Sequence, residues 1–262
     1  MRHPVNWIAV AVALFLAAPL IIVVPMSFST AASFEFPPPG YSLGYYRAFF
    51  GDIRWTGPTI NSFVIAAATV VVTMALVTPA AFALARHRFY GRGFANLLLM
   101  LPLTVPHIVM ALGYYSFFGR LRLVQTYLGV ILAHSCLAVP IAFLTVSAAL
   151  KGFDRNLERA AMSLGATPLR TFFLVTLPVL RPGFIVGALF AFIYSFDETV
   201  VAIFISGRDA ATLPRKMFDS IRMQADPVLS VVSTLLFAAA LVTVLAPALW
   251  RWARPRRQAA GP

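Results

Sequence analysis

The fold this sequence predicts is an all-α membrane protein with six transmembrane helices and a helix-turn-helix loop between the fourth and fifth. Composition is the first reason. Of 262 residues, 60% are hydrophobic and 11% charged, and the mean hydropathy is +0.83, whereas soluble domains carry about 25% charged residues. The second reason is six separate apolar runs, each of roughly the 20 residues that a helix needs to cross a bilayer. No run shows the ten-residue alternation of a membrane barrel, and a backbone in hydrocarbon must otherwise satisfy its own polar groups as a helix.

Taken in order, the first run is Trp7–Phe28. Arg2 before it and the small residues from Ser29 to Ser33 after it resemble a cleavable signal. Its apolar stretch is longer than the 7–15 residues of a signal core, which favours a retained helix. The remaining runs are Ile60–Ala85, Phe94–Phe118, Thr126–Leu150, Phe184–Ile205 and Val228–Trp250. This divides the chain into a first helix with its external loop (1–59), a five-helix core (60–250) that contains the loop 151–182, and a basic tail (251–262).

Charge sets the orientation. Twenty-one Lys and Arg against nine Asp and Glu give a net +12. In a soluble chain this excess suggests nucleic acid, but here the cations sit in loops between apolar runs, where membrane topology explains them. Thirteen of them lie in the N-terminus, Arg86–Gly93, Lys151–Pro182 and the tail, and eight in the other three loops. Both termini and the loop 151–182 are therefore expected in the cytoplasm, with the tail cluster anchoring the sixth helix at the headgroups. The single Cys136 provides neither a disulfide framework nor a cysteine metal site.

The loop 151–182 is too polar to span and too patterned to be slack. Leu157, Ala160, Ala161 and Leu164 recur at helical spacing, predicting a short amphipathic helix over Asp154–Leu164. Gly165 follows as a left-handed cap. Thr167-Pro168 then restarts a helix, with threonine as N-cap and proline at the first position, and this second helix is expected to end before Pro178. Such a unit serves as a lid, a lipid-lying element or a docking knob. Leu169–Val175 contains only Arg170 as a cation, which is little for a lipid-lying face, while Phe172 and Phe173 suit a protein groove.

These residues resemble a known signature. Arg159-Ala160-Ala161, three residues, Gly165, nine residues, then Val175, Thr176 and Leu177-Pro178 match the cytoplasmic motif of permease subunits of bacterial binding-protein-dependent ABC importers. The family motif has glutamate where this chain has Arg159, and Glu158 stands one position early. "FPPPGYSL" at Phe36–Leu43, "RFYGRG", "LPLTVPHIVMALG" and "YSFDET" are similar to the polyamine (spermidine/putrescine) branch, so the resemblance covers nearly the whole chain. It implies the type I ABC importer permease fold in a bacterial inner membrane, with a loop that couples to a cytosolic ATPase. The implied partners are a second permease chain, usually different from this one, two ATP-binding subunits that use ATP and Mg, an external solute-binding protein and the bilayer. The chain itself has no Gly-x4-Gly-Lys-Ser/Thr phosphate loop, so ATP hydrolysis is expected on a partner and no cofactor is expected here.

Asp197 and Glu198 interrupt the fifth run. An ionised carboxylate at a helix centre costs about 2.5–3.5 kcal/mol, so neither is expected to face lipid. With Tyr194 one turn earlier, they either line a path or gate, or form a structural pair. Pro102, Pro106 and His107 either break the third helix and expose its carbonyls, or simply kink it. His134-Ser135 lacks a nucleophile elbow and reads as hydrogen-bonded packing. The stretch from Ser206 to Pro227 carries an apolar stripe of Leu213, Met217, Phe218 and Ile221, and reads either as an interfacial helix or as a surface loop. Two other function classes compete: a secondary transporter, for which no internal repeat is visible, and an intramembrane enzyme, for which His3, His87, His107 and His134 lack ligand spacing.

Overall fold

The computed structural model describes residues 3–223 and 226–253. Arg2 and the basic tail beyond Ala253 lie outside the described residues. Apart from one antiparallel bridge between Ser29 and Tyr41, all regular structure among the described residues is helical.

The helices are α1 (His3–Met26), α2 (Gly44–Gly51), α3 (Ile53–Arg86), α4 (Arg92–Met100), α5 (His107–Arg120), α6 (Tyr127–Lys151), α7 (Asn156–Ser163), α8 (Pro168–Thr171), α9 (Leu177–Asp197), α10 (Val200–Ile205), α11 (Leu213–Met223) and α12 (Val228–Ala253). Among the described residues, three helical stretches are long and apolar enough to cross a membrane: Ile53–Arg86, Tyr127–Lys151 and Pro168–Asp197. A fourth is added if the bent pair Arg92–Leu103 and His107–Arg120 is one span. At 24 and 26 residues, α1 and α12 occupy the first and sixth predicted runs.

The chain divides into two compact units. Residues 1–56 and 219–262 form the first. There α12 packs on α1 and α2, and the loop after α1 is tied by a hydrogen bond between Ser27 and the Tyr46 hydroxyl at 2.9 Å.

Residues 57–218 form the second unit, which is centred on α6. Two-thirds of the apolar window of α6 (67%) is buried by the chain's own residues, against 17% for Pro168–Asp197. The α9 side of the unit is thus left to lipid or another chain. Close approach of α6 and α9 depends on glycine: a Cβ at Gly183 would collide with the Ala149 methyl. One core joins Ile65, Phe118, Val130, Leu137 and Ile205, and another joins Val77, Phe143, Val146 and Leu180.

Four expectations are corrected. The third run is not one helix over Phe94–Phe118. It breaks between Leu103 and His107 with a bend of 102°, because Pro106 supplies no N–H and disfavours helical geometry at Val105. The helix after Thr167 does not end before Pro178. A π-helical turn at Phe172–Thr176 carries it into α9, with Pro178 in the first turn of that helix, so Pro168–Asp197 forms one long stretch. The fifth run, expected over Phe184–Ile205, instead stops at Asp197 and restarts as α10 at Val200. Finally, α7 is exposed over most of its surface, Leu157 and Met162 as well as Asn156 and Arg159, and the one residue it buries is a carboxylate, Glu158. The Ser206–Pro227 stretch contains α11, whose Leu213 is buried and donates its N–H to Ser62 Oγ at 2.8 Å.

Candidate functional site

The loop between α6 and α9 is built by local backbone chemistry. Helix α7 ends in a double-bonded left-handed cap: Gly165 N–H donates to the Met162 carbonyl at 3.0 Å and Ala166 N–H to the Ala161 carbonyl at 3.1 Å. Gly165 has φ +89°, a conformation other residues adopt only with strain. Two residues on, Thr167 caps α8 by accepting from Arg170 N–H at 3.4 Å, and Pro168 fills the first turn. This much agrees with the sequence reading.

The orientation of α7 could not be read from the sequence. Glu158 is 9% exposed. Its Oε1 accepts from Arg86 Nη2 at 2.6 Å and from the Thr176 hydroxyl. Arg86 ends α3 and also lies 4.5 Å over the Phe82 ring. Thr176 belongs to the π-helical turn. One carboxylate therefore joins α7 to the ends of two long helices. Burial alone would push its carboxyl up, but the Arg86 guanidinium and Thr176 hydroxyl, with Arg155 nearby, outweigh that and hold it below the ordinary 4.5.

Arg159, which stands at the motif's glutamate position, is exposed, and its Nη1 reaches Asn156 Oδ1 only at 3.5 Å. Ala160 is exposed and Ala161 half-buried. Several apolar side chains of the loop are turned outward: Leu164 is 90% exposed, Leu169 68% and Leu174 73%, and Phe173 is exposed too. Phe172 turns inward instead, 5.6 Å from the Phe82 ring. Leu177 is half-buried and Pro178 exposed on the first turn of α9.

The second group of predicted residues meets at the helix breaks. Asp197 is exposed at the end of α9, whereas Glu198 is buried. Because the helix stops between them, the two carboxylates take separate tasks. Glu198 accepts from the backbone N–H groups of Val201 and Ala202 at 2.9 and 3.1 Å, and so caps α10. Its Oε1 lies 4.0 Å from His107 Nδ1 and its Oε2 3.8 Å from His134 Nε2. Tyr194 Oη shares a hydrogen bond with His107 Nε2 at 2.9 Å. Pro106 is the N-cap of α5, immediately before His107. His107, Tyr194, Asp197 and Glu198 line a cleft of about 320 Å³ with Phe190 and Ile193.

His134 is fully buried, as its reading as packing expects. It shares a hydrogen bond with Ser195 at 2.9 Å, and the Ser195 hydroxyl donates to Thr69 at 3.3 Å. Ser195, His134 and Glu198 follow the order of a nucleophile, base and acid, but all three are buried and Ser195 already donates to Thr69. No carbonyl can approach such a hydroxyl, so the cluster does not support hydrolysis. Arg86, Thr176, Thr69 and Ser195 are the partners that sequence reasoning missed. Each is ordinary in its own segment, and no motif links them.

Comparisons with known proteins place the chain in a family. The family described as binding-protein-dependent transport system inner membrane component matches residues 77–258. The chain is 35% identical to the putrescine transport system permease protein PotI of Escherichia coli (strain K12), over 86% of this chain and 82% of that one. It is 27% identical to the spermidine/putrescine transport system permease protein PotC of the same organism, over 91% and 90%. In structure it is similar to a chain from a bacterial ABC transporter involved in the import of the acidic polysaccharide alginate. The TM-score is 0.71 at 17% identity, covering 95% of each chain, which supports the fold alone.

Proposed function

This chain belongs to the binding-protein-dependent transport system inner membrane component family, and from that premise we propose that it is a membrane subunit of an ATP-driven polyamine importer. In this reading it pairs with a second, different permease chain and rests on two cytosolic ATP-binding subunits, which hydrolyse ATP with Mg. An external binding protein delivers the solute. Both termini and the loop around Gly165 are cytoplasmic.

The observation that carries the reading is the outward apolar tip of the loop. Leu164, Leu169, Phe173 and Leu174 stand exposed around a glycine turn that fixes their positions, as anchors for a groove in a partner. Closure of the ATP-binding subunits would move α7, and the Glu158 link would pass that motion to α3 and α9. A polyamine is favoured by the similarity to PotI and PotC and by the chemistry of the cleft, where Asp197 and Tyr194 offer an anion and a ring to an alkylammonium group.

The test is co-purification of the tagged chain from mild detergent, with the native loop and with Leu164→Asp and Phe173→Asp together. The expected result is an ATP-binding protein and a second permease with the native chain, and loss of the ATP-binding protein alone with the variant. A native chain that brings down no ATP-binding protein would refute the reading.

A further inference from the structure

We propose that a cleft beside the loop holds an anionic phospholipid. The cleft has a volume of about 800 Å³ and lies where α3 ends, α4 begins and α6 ends. Arg86, Arg92, Lys151 and Arg155 stand around it. Among the described residues, Glu158 on Arg86 is the one carboxylate within ion-pair distance of any of these four. The other three cations line the same concavity with no carboxylate within ion-pair distance, although Arg155 also lies near enough to Glu158 to act on it.

Loop cations ordinarily reach outward to scattered headgroups. Here the end of α3, the start of α4 and the segment 151–155 bring them to one cleft, which the apolar side chains of Phe143, Leu144 and Phe153 also line. Phe143 and Phe153 are buried, while Leu144, on α6, is about half exposed. Asn96 and Ser147 also line the cleft and can hydrogen-bond to phosphate or glycerol oxygens. A soluble phosphate would use the cations and leave the apolar side chains without a purpose. A phospholipid uses both, with its phosphate among the cations and an acyl chain along Leu144. The level is right as well, since α3 and α6 are membrane-spanning helices that end here, where basic pockets between spans take acidic headgroups.

The experiment uses the full chain reconstituted in nanodiscs containing equal palmitoyl-oleoyl phosphatidylglycerol and phosphatidylcholine, then released for native mass spectrometry. The native chain is expected to retain phosphatidylglycerol over phosphatidylcholine by at least about tenfold. Arg92→Gln, Lys151→Gln and Arg155→Gln together are expected to bring retention close to parity, while Arg120→Gln, outside the cleft, leaves the preference intact. Parity in the native chain overturns the proposal, as does a preference that survives the triple substitution. Displacement of the lipid by millimolar inorganic phosphate identifies a soluble-anion site and overturns it too. If the triple variant is lost to misfolding, Lys151→Gln alone is expected to reduce the preference, and an unchanged value refutes the assignment. The readout needs neither ATP nor uptake, so its failure is separable from failure of the importer reading.

Discussion

Glu158 and Arg86 lie 72 positions apart in sequence and meet at 2.6 Å, joining the short helix of the loop to the end of a 34-residue membrane helix. Both side chains are largely shielded from water, at 11% and 23% exposure. A charge-assisted bond of this kind contributes about 1.5–3 kcal/mol. Glu158→Gln is therefore expected to raise amide exchange across α7 by about tenfold or more, with little change in α6. Exchanging the two charges, as Arg86→Glu with Glu158→Arg, should recover much of the protection. If Glu158→Gln leaves α7 exchange unchanged, the link carries no strain between loop and helix.

The same carboxylate makes the loop pH-sensitive in a defined direction. Its folded pKa is depressed below 4.5, despite its burial, by Arg86 and Thr176. The stabilisation is then fully present above the unfolded value and is lost as pH falls through the lower folded one. Protection of α7, corrected for intrinsic exchange, should hold from neutral pH to about 5 and decline below about 4. Glu158→Gln should abolish that decline.

Gly165 allows a different test, because its φ of +89° costs an L-residue about 1–2 kcal/mol and a β-branched one more. Gly165→Val is expected to leave membrane insertion intact while ATP hydrolysis by the assembled complex proceeds with little solute uptake. Gly165→Asn, which tolerates the left-handed region, should be milder. Equal uptake-to-hydrolysis ratios for native and valine proteins would contradict the role of the turn.

The two carboxylates at the end of α9 should separate cleanly. Asp197 is exposed in the cleft, so Asp197→Asn is expected to lower uptake of a cationic solute by about tenfold with normal assembly. Glu198 caps α10 and is buried, so Glu198→Ala is expected to lower thermal stability and yield before any effect on solute preference. The measurements are uptake at saturating and limiting solute, and melting of the purified chain.

Local chemistry explains which parts were legible. The Gly165 cap and the Thr167-Pro168 restart follow from residues adjacent in sequence and appear as expected, as do the second and fourth apolar runs. The breaks were only half legible. Pro106 announced the one before His107, but nothing near Pro178 announced the π-helical turn that lets the helix run through. The burial of the α7 carboxylate was hidden because its cause lies elsewhere. Glu158 turns inward for Arg86 and Thr176, and Leu157 and Met162 are left exposed. Likewise, helical spacing put Asp197 and Glu198 about 100° apart on one helix, whereas the backbone N–H groups of α10 draw Glu198 out of that helix altogether.

The central claim is tested most directly by uptake. The chain, co-purified with its partners and reconstituted in proteoliposomes with the external binding protein, is given radiolabelled putrescine with and without ATP and Mg. The account predicts accumulation that requires ATP and the binding protein, and that falls with Asp197→Asn and with Gly165→Val. Accumulation that needs no ATP, or an ATP-dependent complex that ignores putrescine and spermidine alike, would contradict it.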